Sequence, residues 1–223
     1  DDRPDSAVGR GWAGTFGVET LDQLRAALDG TGQSFEILQD VAGSGVQHSE
    51  MFPLLDTENS NKLELFQIWL NLPKASKYVD PHFDMIWDHE VPKWKEEGVF
   101  TRLIYGSHGG FNQLKCPPNS WAVNPENHLV VAQFILDPGA ILSLEKVNPG
   151  ISRNLYLYAG EELTYDQGSL MSNEGLQLEA SDRVTLTNTS KKEAYLILMQ
   201  GKPINEPVAK YGLFVMNESH EIE

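Results

Sequence analysis

A histidine and a glutamate two positions apart, His48 and Glu50, are the residue pair in this sequence best suited to hold a metal ion. Side chains at positions i and i+2 of an extended strand leave the same face, so the imidazole and the carboxylate would point the same way. Such ligands suit a borderline divalent metal, such as iron, manganese or nickel, in a site that keeps positions open for substrate or oxygen. On its own an H-x-E pair is a weak signal, and a hydrogen-bonded or solvent-exposed pair is the alternative interpretation.

The elements that must position this pair are a turn and two strands. Glycines at positions 43 and 45 predict a turn immediately before the pair. We expect a strand over 35–41 leading into the turn and another over 63–72 after it. In the second strand Leu63 and Leu65 share one face, whereas the apolar residues from Phe66 onward share the other. This change of phase predicts a bulge or burial on both faces.

Four phrases of the sequence resemble the pirin family of two-cupin proteins: AGSGVQHSEMFP, LFQIWLNLP, DPHF and GKPINEPVAKYGLFVMN. They occur in order from about residue 40 to the end of the chain. The resemblance implies an all-β double cupin with two antiparallel barrel or jelly-roll halves. It also implies that His48 and Glu50 bind iron, together with two histidines of an earlier H-P-H strand, and that the activity is oxygenolytic cleavage of a flavonol such as quercetin.

The sequence departs from the family pattern before residue 35. It contains no H-P-H, and no histidine precedes His48. We therefore expect a shortened or replaced N-terminal half, in which iron or another divalent metal is bound weakly or not at all, because affinity grows with the number of ligands. A non-native N-terminus, arising from truncation or a misread frame, is a further interpretation.

Residues 1–18 are rich in glycine and aspartate without a period, which predicts a loop or disordered tail. Next, a capping box of Thr20 and Gln23, leucines at positions 21, 24 and 28, and Gly30 as a terminator predict a short amphipathic helix. The expected domains are 1–34 (atypical tail and helix), 35–73 (partial N-terminal cupin), 74–98 (connector) and 99–223 (C-terminal cupin).

The second half predicts short strands separated by turns, and it contains no helical segment of 10–15 residues that a parallel α/β sheet would need. The expected strands are 100–105, 128–136, 155–158, 163–165, 176–178, 184–188 and 194–199. By resemblance, Leu142, Ser143 and Leu144 occupy the place of the H-x-H of a metal-binding cupin, so this half should be metal-free. Tyr156, Tyr158 and Tyr165 are either pocket-lining residues or ordinary core and cross-strand aromatics.

The remaining histidines are expected to be surface or turn residues rather than ligands: His82, His89, His108, His128 and His220. The single cysteine, Cys116, is expected to be a small apolar filler, since no base lies beside it in the sequence. One cysteine allows no intrachain disulfide, which favours a reducing, cytoplasmic compartment.

The formal net charge of −15 disfavours direct binding to nucleic acid or to anionic membrane surfaces. No apolar run is long enough to span a membrane, and no signal-peptide pattern begins the chain. Two functions from different classes follow from the resemblance: a metal-dependent, quercetinase-like dioxygenase with a small aromatic substrate and Glu50 as ligand or catalytic base, or a non-catalytic module that binds a protein partner, as a transcription cofactor would.

Overall fold

The computed structural model describes residues 22–29, 35–41, 43–45, 58, 63–112, 116–212 and 214–222. The described chain is mostly β-strand, and its helical segments are short 3-10 turns at Lys74–Ser76, Asp88–Glu90, Trp121–Val123, Pro125–Asn127 and Ser219–Glu221. The all-β prediction is confirmed. Within these same ranges no helix has the length and apolar character needed to cross a membrane.

The described residues form two compact units, which we call the N-terminal and the C-terminal unit. The N-terminal unit comprises Val18–Val91, Lys115–Val123 and Ile204–Glu223, and the C-terminal unit includes Pro92–Leu114 and Asn124–Pro203. Each unit is therefore discontinuous in sequence, a feature that contiguous phrases cannot reveal.

The N-terminal unit contains a four-stranded antiparallel sheet and a small hairpin. The strands are β1 (Asp22–Asp29), β2 (Phe35–Val41), β3 (Leu63–Leu70), β4 (His82–Trp87), β17 (Ala209–Tyr211) and β18 (Phe214–Met216). The sheet has the order β3-β1-β2-β4, and β17 pairs with β18 to form the hairpin.

The helix predicted after Thr20 is wrong, because residues 22–29 form strand β1 in the interior of this sheet. Leu24 and Leu28 are four apart, a spacing that puts two residues on one face of either a helix or a strand. Pairing with strands on both sides decides between the two, since tertiary hydrogen bonding overrides a weak helix propensity.

The bulge predicted in strand β3 is also absent: its pairing with β1 runs without interruption from Leu63 to Leu70. Burial is one-sided at the start of the strand, because Leu65 is 42% exposed while Phe66 and Ile68 are half-buried. The change of phase in the sequence therefore reflects an exposed leucine rather than an inserted residue.

Segment 74–98, expected to be a connector, contains the passage from one unit to the other between Val91 and Pro92. It also carries β4 and β5 (Lys93–Glu96), which its polar, proline-containing sequence does not predict. Isolated apolar residues in both strands, such as Ile86 and Trp94, are buried or half-buried. Each strand is completed by pairing with a neighbour, β4 with β2 and β5 with β6 (Val99–Tyr105).

The C-terminal unit packs a six-stranded sheet against a four-stranded sheet and adds a hairpin. Besides β5 and β6, its strands are β7 (Ser107–His108), β8 (Phe111–Asn112), β9 (Val130–Leu136), β10 (Ile141–Leu144), β11 (Ser152–Ala159), β12 (Glu162–Tyr165), β13 (Gly168–Met171), β14 (Glu174–Leu178), β15 (Val184–Thr187) and β16 (Ala194–Gly201). The larger sheet has the order β14-β11-β16-β9-β6-β5, the smaller has the order β10-β15-β12-β13, and β7 and β8 form the hairpin.

Apolar side chains at alternate positions of these strands form the core between the two sheets. Phe134, Leu155 and Leu196 face it from the larger sheet, and Leu163 and Leu186 face it from the smaller one. All five side chains are fully buried. Aliphatic and aromatic residues at every second position give each sheet one apolar face, which explains why they pack together.

Candidate metal centre and its surroundings

His48 and Glu50, the predicted metal ligands, lie outside the described residues, but the turn that precedes them is described. Gly43 has φ +44°, and a Cβ built there would lie 2.0 Å from the carbonyl oxygen of Val79. Only glycine fits so close to another backbone. The Ser44 hydroxyl donates a hydrogen bond of 3.3 Å to the Tyr78 carbonyl. The turn is thus held against residues 78 and 79 just before the segment that carries the pair.

Strand β4 borders the strand that enters this turn. His82 of β4 lies opposite Val41, the last residue of β2. His82 and Asp84 share one face of β4, with 3.9 Å between His82 Nε2 and Asp84 Oδ2. This pair offers two donors of metal-binding type. Across the ranges that the structure describes, no three His, Cys, Asp or Glu side chains gather closely enough to hold a metal ion.

A polar network ties the segment after β3 to the C-terminal stretch of the same unit. The backbone N–H of Lys74 donates to Glu206 Oε2 at 2.6 Å, and the Asn217 Nδ2 group donates to the same oxygen at 3.0 Å. Lys74 Nζ lies 3.5 Å from Glu221 Oε1. Glu206 therefore joins two distant parts of the chain through one carboxylate oxygen.

Lys77 is the buried cation of this network, with 1% of its surface exposed. Its ammonium group donates to Asn71 Oδ1. Burial lowers the pKa of Lys77, and the negative charges of Glu206 and Glu221 offset part of that effect. Sequence reasoning missed this residue, since a lysine is exposed by default and its hydrogen-bond partner lies 6 positions away.

The other histidines follow the sequence expectation in part. His89 is exposed in a 3-10 turn. His128 precedes β9 rather than beginning a strand, in a left-handed conformation with φ 49°, and its Nε2 accepts a hydrogen bond of 3.1 Å from the Asn148 Nδ2 group.

His108 departs from the expected surface position. It belongs to strand β7, and its ring packs edge-on against buried Phe134 with 5.4 Å between ring centroids. Trp94 lies 6.3 Å away by the same measure and stacks on Phe111. Burial lowers the pKa of His108, and the positive charge of Arg153 lowers it further.

The positions compared with H-x-H in the C-terminal half are filled by apolar packing. Leu142 and Leu144 are 5% and 1% exposed and belong to the core of the C-terminal unit. Ser143 points to the opposite face of β10. An aliphatic side chain offers no lone pair to a metal, so these positions contribute packing alone.

The three tyrosines considered as pocket-lining residues have partners within their unit. Tyr165 packs against the core. The Tyr156 hydroxyl donates to the Asn173 carbonyl at 3.1 Å, and burial raises the pKa of this tyrosine. The Tyr158 hydroxyl accepts a hydrogen bond of 2.6 Å from the Gln133 Nε2 group. These contacts are those of core and cross-strand aromatics.

Comparison with known proteins identifies the family of this chain. The Pirin C-terminal cupin domain family matches residues 131–223. A pirin-like protein of Arabidopsis thaliana, provisionally named as such, is 31% identical over 82% of this chain and 63% of its own length. The chain belongs to the pirin family. This confirms the family that the sequence phrases indicated.

A second relative has a name that states an activity. A Vibrio cholerae protein whose name provisionally assigns it quercetin 2,3-dioxygenase activity is 32% identical over 82% of this chain and 61% of its own length. The chain therefore spans less than two thirds of the length of the curated relatives named here.

A solved structure confirms the cupin fold. The crystal structure of quercetin 2,3-dioxygenase from Acinetobacter baumannii superposes with a TM-score of 0.70, over 89% of this chain and 68% of that chain, at 23% identity. At this identity the likeness concerns the fold, and the activity is argued separately below.

Proposed function

We propose that this pirin-family chain carries His48 and Glu50 as metal ligands of an iron-dependent, quercetinase-like flavonol dioxygenase. The observation that carries the proposal is the H-x-E pair directly after a turn that is fixed by the contact of Gly43 with Val79. The provisional name of the Vibrio cholerae relative supports the substrate class. A cytoplasmic location, expected from the single cysteine, is part of the same proposal.

The donor chemistry of the pair fits iron or another borderline divalent metal, since one ligand is an imidazole and the other a carboxylate. Two protein ligands give a weaker site than three or four. Iron bound there would supply Lewis-acid and redox chemistry for the reaction of a flavonol with oxygen. The pair leaves most positions around the ion to solvent or substrate, which suits a catalytic rather than a structural site.

The two side chains have different roles in this proposal. His48 acts as a neutral imidazole ligand, because only an unprotonated ring nitrogen can bind a metal. Glu50 acts either as a carboxylate ligand or as the base that accepts the proton of the flavonol hydroxyl group. Removing that proton makes the substrate electron-rich, which its reaction with oxygen requires.

The test measures quercetin consumption in air by the full chain reconstituted with ferrous iron. We expect turnover by the unmodified protein, loss of at least about 10²-fold in His48→Ala, and unchanged turnover in His89→Ala, which removes an exposed histidine. Equal turnover in the unmodified protein and His48→Ala would reject the proposal. Glu50→Gln then separates the roles of the carboxylate, because a lost base reduces turnover while metal content is retained.

A second candidate function, a non-catalytic protein-binding module, is favoured by exposed aromatic side chains in the N-terminal unit. Phe83 and Trp87 are 57% and 48% exposed on the face of β4 opposite His82 and Asp84. Exposed large aromatics are typical of protein-binding surfaces.

Capture of one defined protein partner from lysate tests this second candidate. We expect the partner to be captured equally well after chelation and by the His48→Ala variant. Capture should be lost in a Phe83→Ser, Trp87→Ser double variant. Loss of the partner on chelation would contradict a metal-independent module.

A further inference from the structure

Strand β4 carries an apolar stripe on the face opposite buried Ile86, which we call the outer face of β4. Phe83, Met85 and Trp87 occupy every second position of the strand, so their side chains leave this face together. Phe83 and Trp87 are 57% and 48% exposed, and Met85 is half-buried. The two rings are four positions apart, which separates them by about 13 Å along the strand. The stripe is therefore open to solvent and long enough to contact several residues of a partner.

Two backbone N–H groups of β4 are already bound by carboxylates of the same segment. In the sheet that the structure describes, β4 is the last strand, with β2 as its neighbour. The N–H of Trp87 donates to Glu90 Oε2 at 2.9 Å, and the N–H of Met85 donates to Asp84 Oδ1 at 3.2 Å. These carboxylates compete with any strand that would add to β4 by backbone hydrogen bonding. A partner is therefore expected to contact the stripe through side chains.

Carboxylates lie at both ends of the stripe. Asp80 precedes β4, and Asp88 and Glu90 follow it in a 3-10 turn, where Glu90 is held beside Trp87 by the hydrogen bond to its backbone. Asp80 and Glu90 are exposed. From residue 78 to residue 91 the sequence contains neither lysine nor arginine. The electrostatic potential around the two rings is therefore negative.

The neighbouring strand adds acidic positions to this face. The register of β2 with β4 sets Asp40 opposite Phe83 and Glu36 opposite Trp87. Aromatic rings attract cations over their faces, and a guanidinium group can stack on a ring while it pairs with a carboxylate. Exposed rings with carboxylates beside them are thus complementary to arginine side chains, whereas an acidic partner would be repelled.

We propose that the outer face of β4 binds an extended, arginine-rich segment of a partner protein. Arginines of that segment lie over Phe83 and Trp87, and they pair with the carboxylates of Asp80 and Glu90 at the two ends of the stripe. This inference rests on the second candidate function, the protein-binding module, and names the chemistry of its partner. It is independent of the proposed metal ligands, which lie elsewhere in the sequence.

The experiment measures the fluorescence anisotropy of a labelled peptide titrated with the full chain. The peptide alternates arginine and serine over about six residues, a length that spans the stripe when extended. We expect saturable binding that is at least about tenfold weaker in the Phe83→Ser, Trp87→Ser double variant. Tyr211→Ser is the matched control and should bind as the unmodified protein does, because Tyr211 is 78% exposed in the hairpin of β17 and β18.

A second comparison separates the local carboxylates from the net charge of the chain. Glu90→Gln removes one charge but keeps an oxygen that can accept the Trp87 N–H, and it should weaken peptide binding and reduce its dependence on sodium chloride. Asp166→Asn removes one exposed carboxylate of the C-terminal unit and should leave binding nearly unchanged. A peptide with lysine in place of arginine should bind more weakly, since an ammonium group lacks the planar, stacking surface.

Equal affinity of the arginine peptide for the unmodified protein and the Phe83→Ser, Trp87→Ser variant would overturn the proposal, because binding would then reflect net charge alone. Equal effects of Glu90→Gln and Asp166→Asn, or equal binding of the arginine and lysine peptides, would overturn it as well. A lysate partner that needs Phe83 and Trp87 but is not displaced by the arginine peptide would also overturn it, while the second candidate function would stand.

Discussion

In this pirin-family chain the described contacts that stand out in the two units are of different kinds. The C-terminal unit is filled by leucines and other apolar side chains that meet between two sheets. In the N-terminal unit Asn71, Lys77 and Asn217 are buried, and hydrogen bonds connect residues 71–77 with the C-terminal stretch of that unit. Apolar filling needs only the right volume, whereas buried polar groups need defined partners.

In the proposed function the two units have different tasks. In the C-terminal unit Leu142 and Leu144 occupy the positions compared with H-x-H, so that sheet serves packing. In the N-terminal unit the described contacts hold the turn at Gly43 and the segment after β3 in place. Polar networks and glycine contacts of this kind hold backbone in one place, which is what a pair of metal ligands requires.

The largest effect that tests this comparison is the loss of a core leucine. Leu155→Ala in the C-terminal unit should lower the free energy of unfolding by about 3 kcal/mol, since it leaves a cavity among fully buried side chains. Leu65→Ala, the same change at the 42% exposed position in β3, should cost less than about 1 kcal/mol. Urea denaturation measures both, and similar losses would contradict the described difference in packing.

The next effect concerns the glycine turn. Gly43→Ala should destabilise the N-terminal unit by about 2–3 kcal/mol, because its Cβ would collide with the backbone oxygen of Val79 in addition to adopting a positive φ. Gly45→Ala is the matched control, since Gly45 also has a positive φ but a methyl group added there would meet no described atom within 4 Å. Urea denaturation of the two variants measures the difference.

We expect Gly43→Ala also to weaken metal binding more than Gly45→Ala does, as measured by titration with ferrous iron. Equal metal affinity in the two variants would show that the contact with Val79 does not position the ligands.

A smaller effect should follow removal of the buried cation. Lys77→Met should lower the free energy of unfolding by about 2 kcal/mol, because Asn71 loses a charged hydrogen-bond donor in a buried setting. Lys191→Met, at an exposed position of the C-terminal unit, should change it by less than about 0.5 kcal/mol. A neutral outcome for Lys77→Met would mean that the network contributes little to the stability of its unit.

The smallest effect is a pH dependence in the C-terminal unit. The pKa of His108 is lowered in the folded state, so below the ordinary value of about 6.5 the unfolded chain binds more protons. The stability contribution of neutral His108 is complete above that pH and is lost as the pH falls toward the folded-state pKa. Arg153 is the charged group that acts on this ring, and its aromatic neighbours do not titrate in this range.

We therefore expect His108→Gln to lose less stability than the unmodified protein between about pH 7.5 and 5.5. His89→Gln, at an exposed position, should behave as the unmodified protein does. Chemical denaturation at each pH provides the comparison, and identical pH profiles for all three proteins would contradict the lowered pKa of His108.

The sequence predicted most strands of the C-terminal sheets, because these strands alternate apolar and polar residues and are separated by turn residues, but it did not predict β5, β10 or β13. The expected strand 176–178 lies within β14, and the expected strand 184–188 extends one residue beyond β15. The sequence failed where only tertiary pairing decides: β1 carries a leucine spacing that also suits a helix, and β4 lies in a polar, proline-bounded stretch. Such strands can be assigned only when the strands with which they pair are known.

The functional candidates also differ in how far the sequence alone can indicate them. His48 and Glu50 could be proposed because two residues of ligand type lie close in sequence and within a family phrase. Buried Arg153 and Lys77 were missed, since long basic side chains are exposed by default and their partners come from other strands and turns. Sequence spacing can therefore suggest a local pair of candidate ligands, whereas a buried single charge is recognised only in the folded structure.

Titration of the metal-free full chain with ferrous iron tests the central claim, that the N-terminal unit holds the metal through His48 and Glu50. We predict one equivalent bound by the unmodified protein and by His89→Ala, and an affinity at least about tenfold weaker in both His48→Ala and Glu50→Ala. Equal binding by all four proteins would contradict the claim.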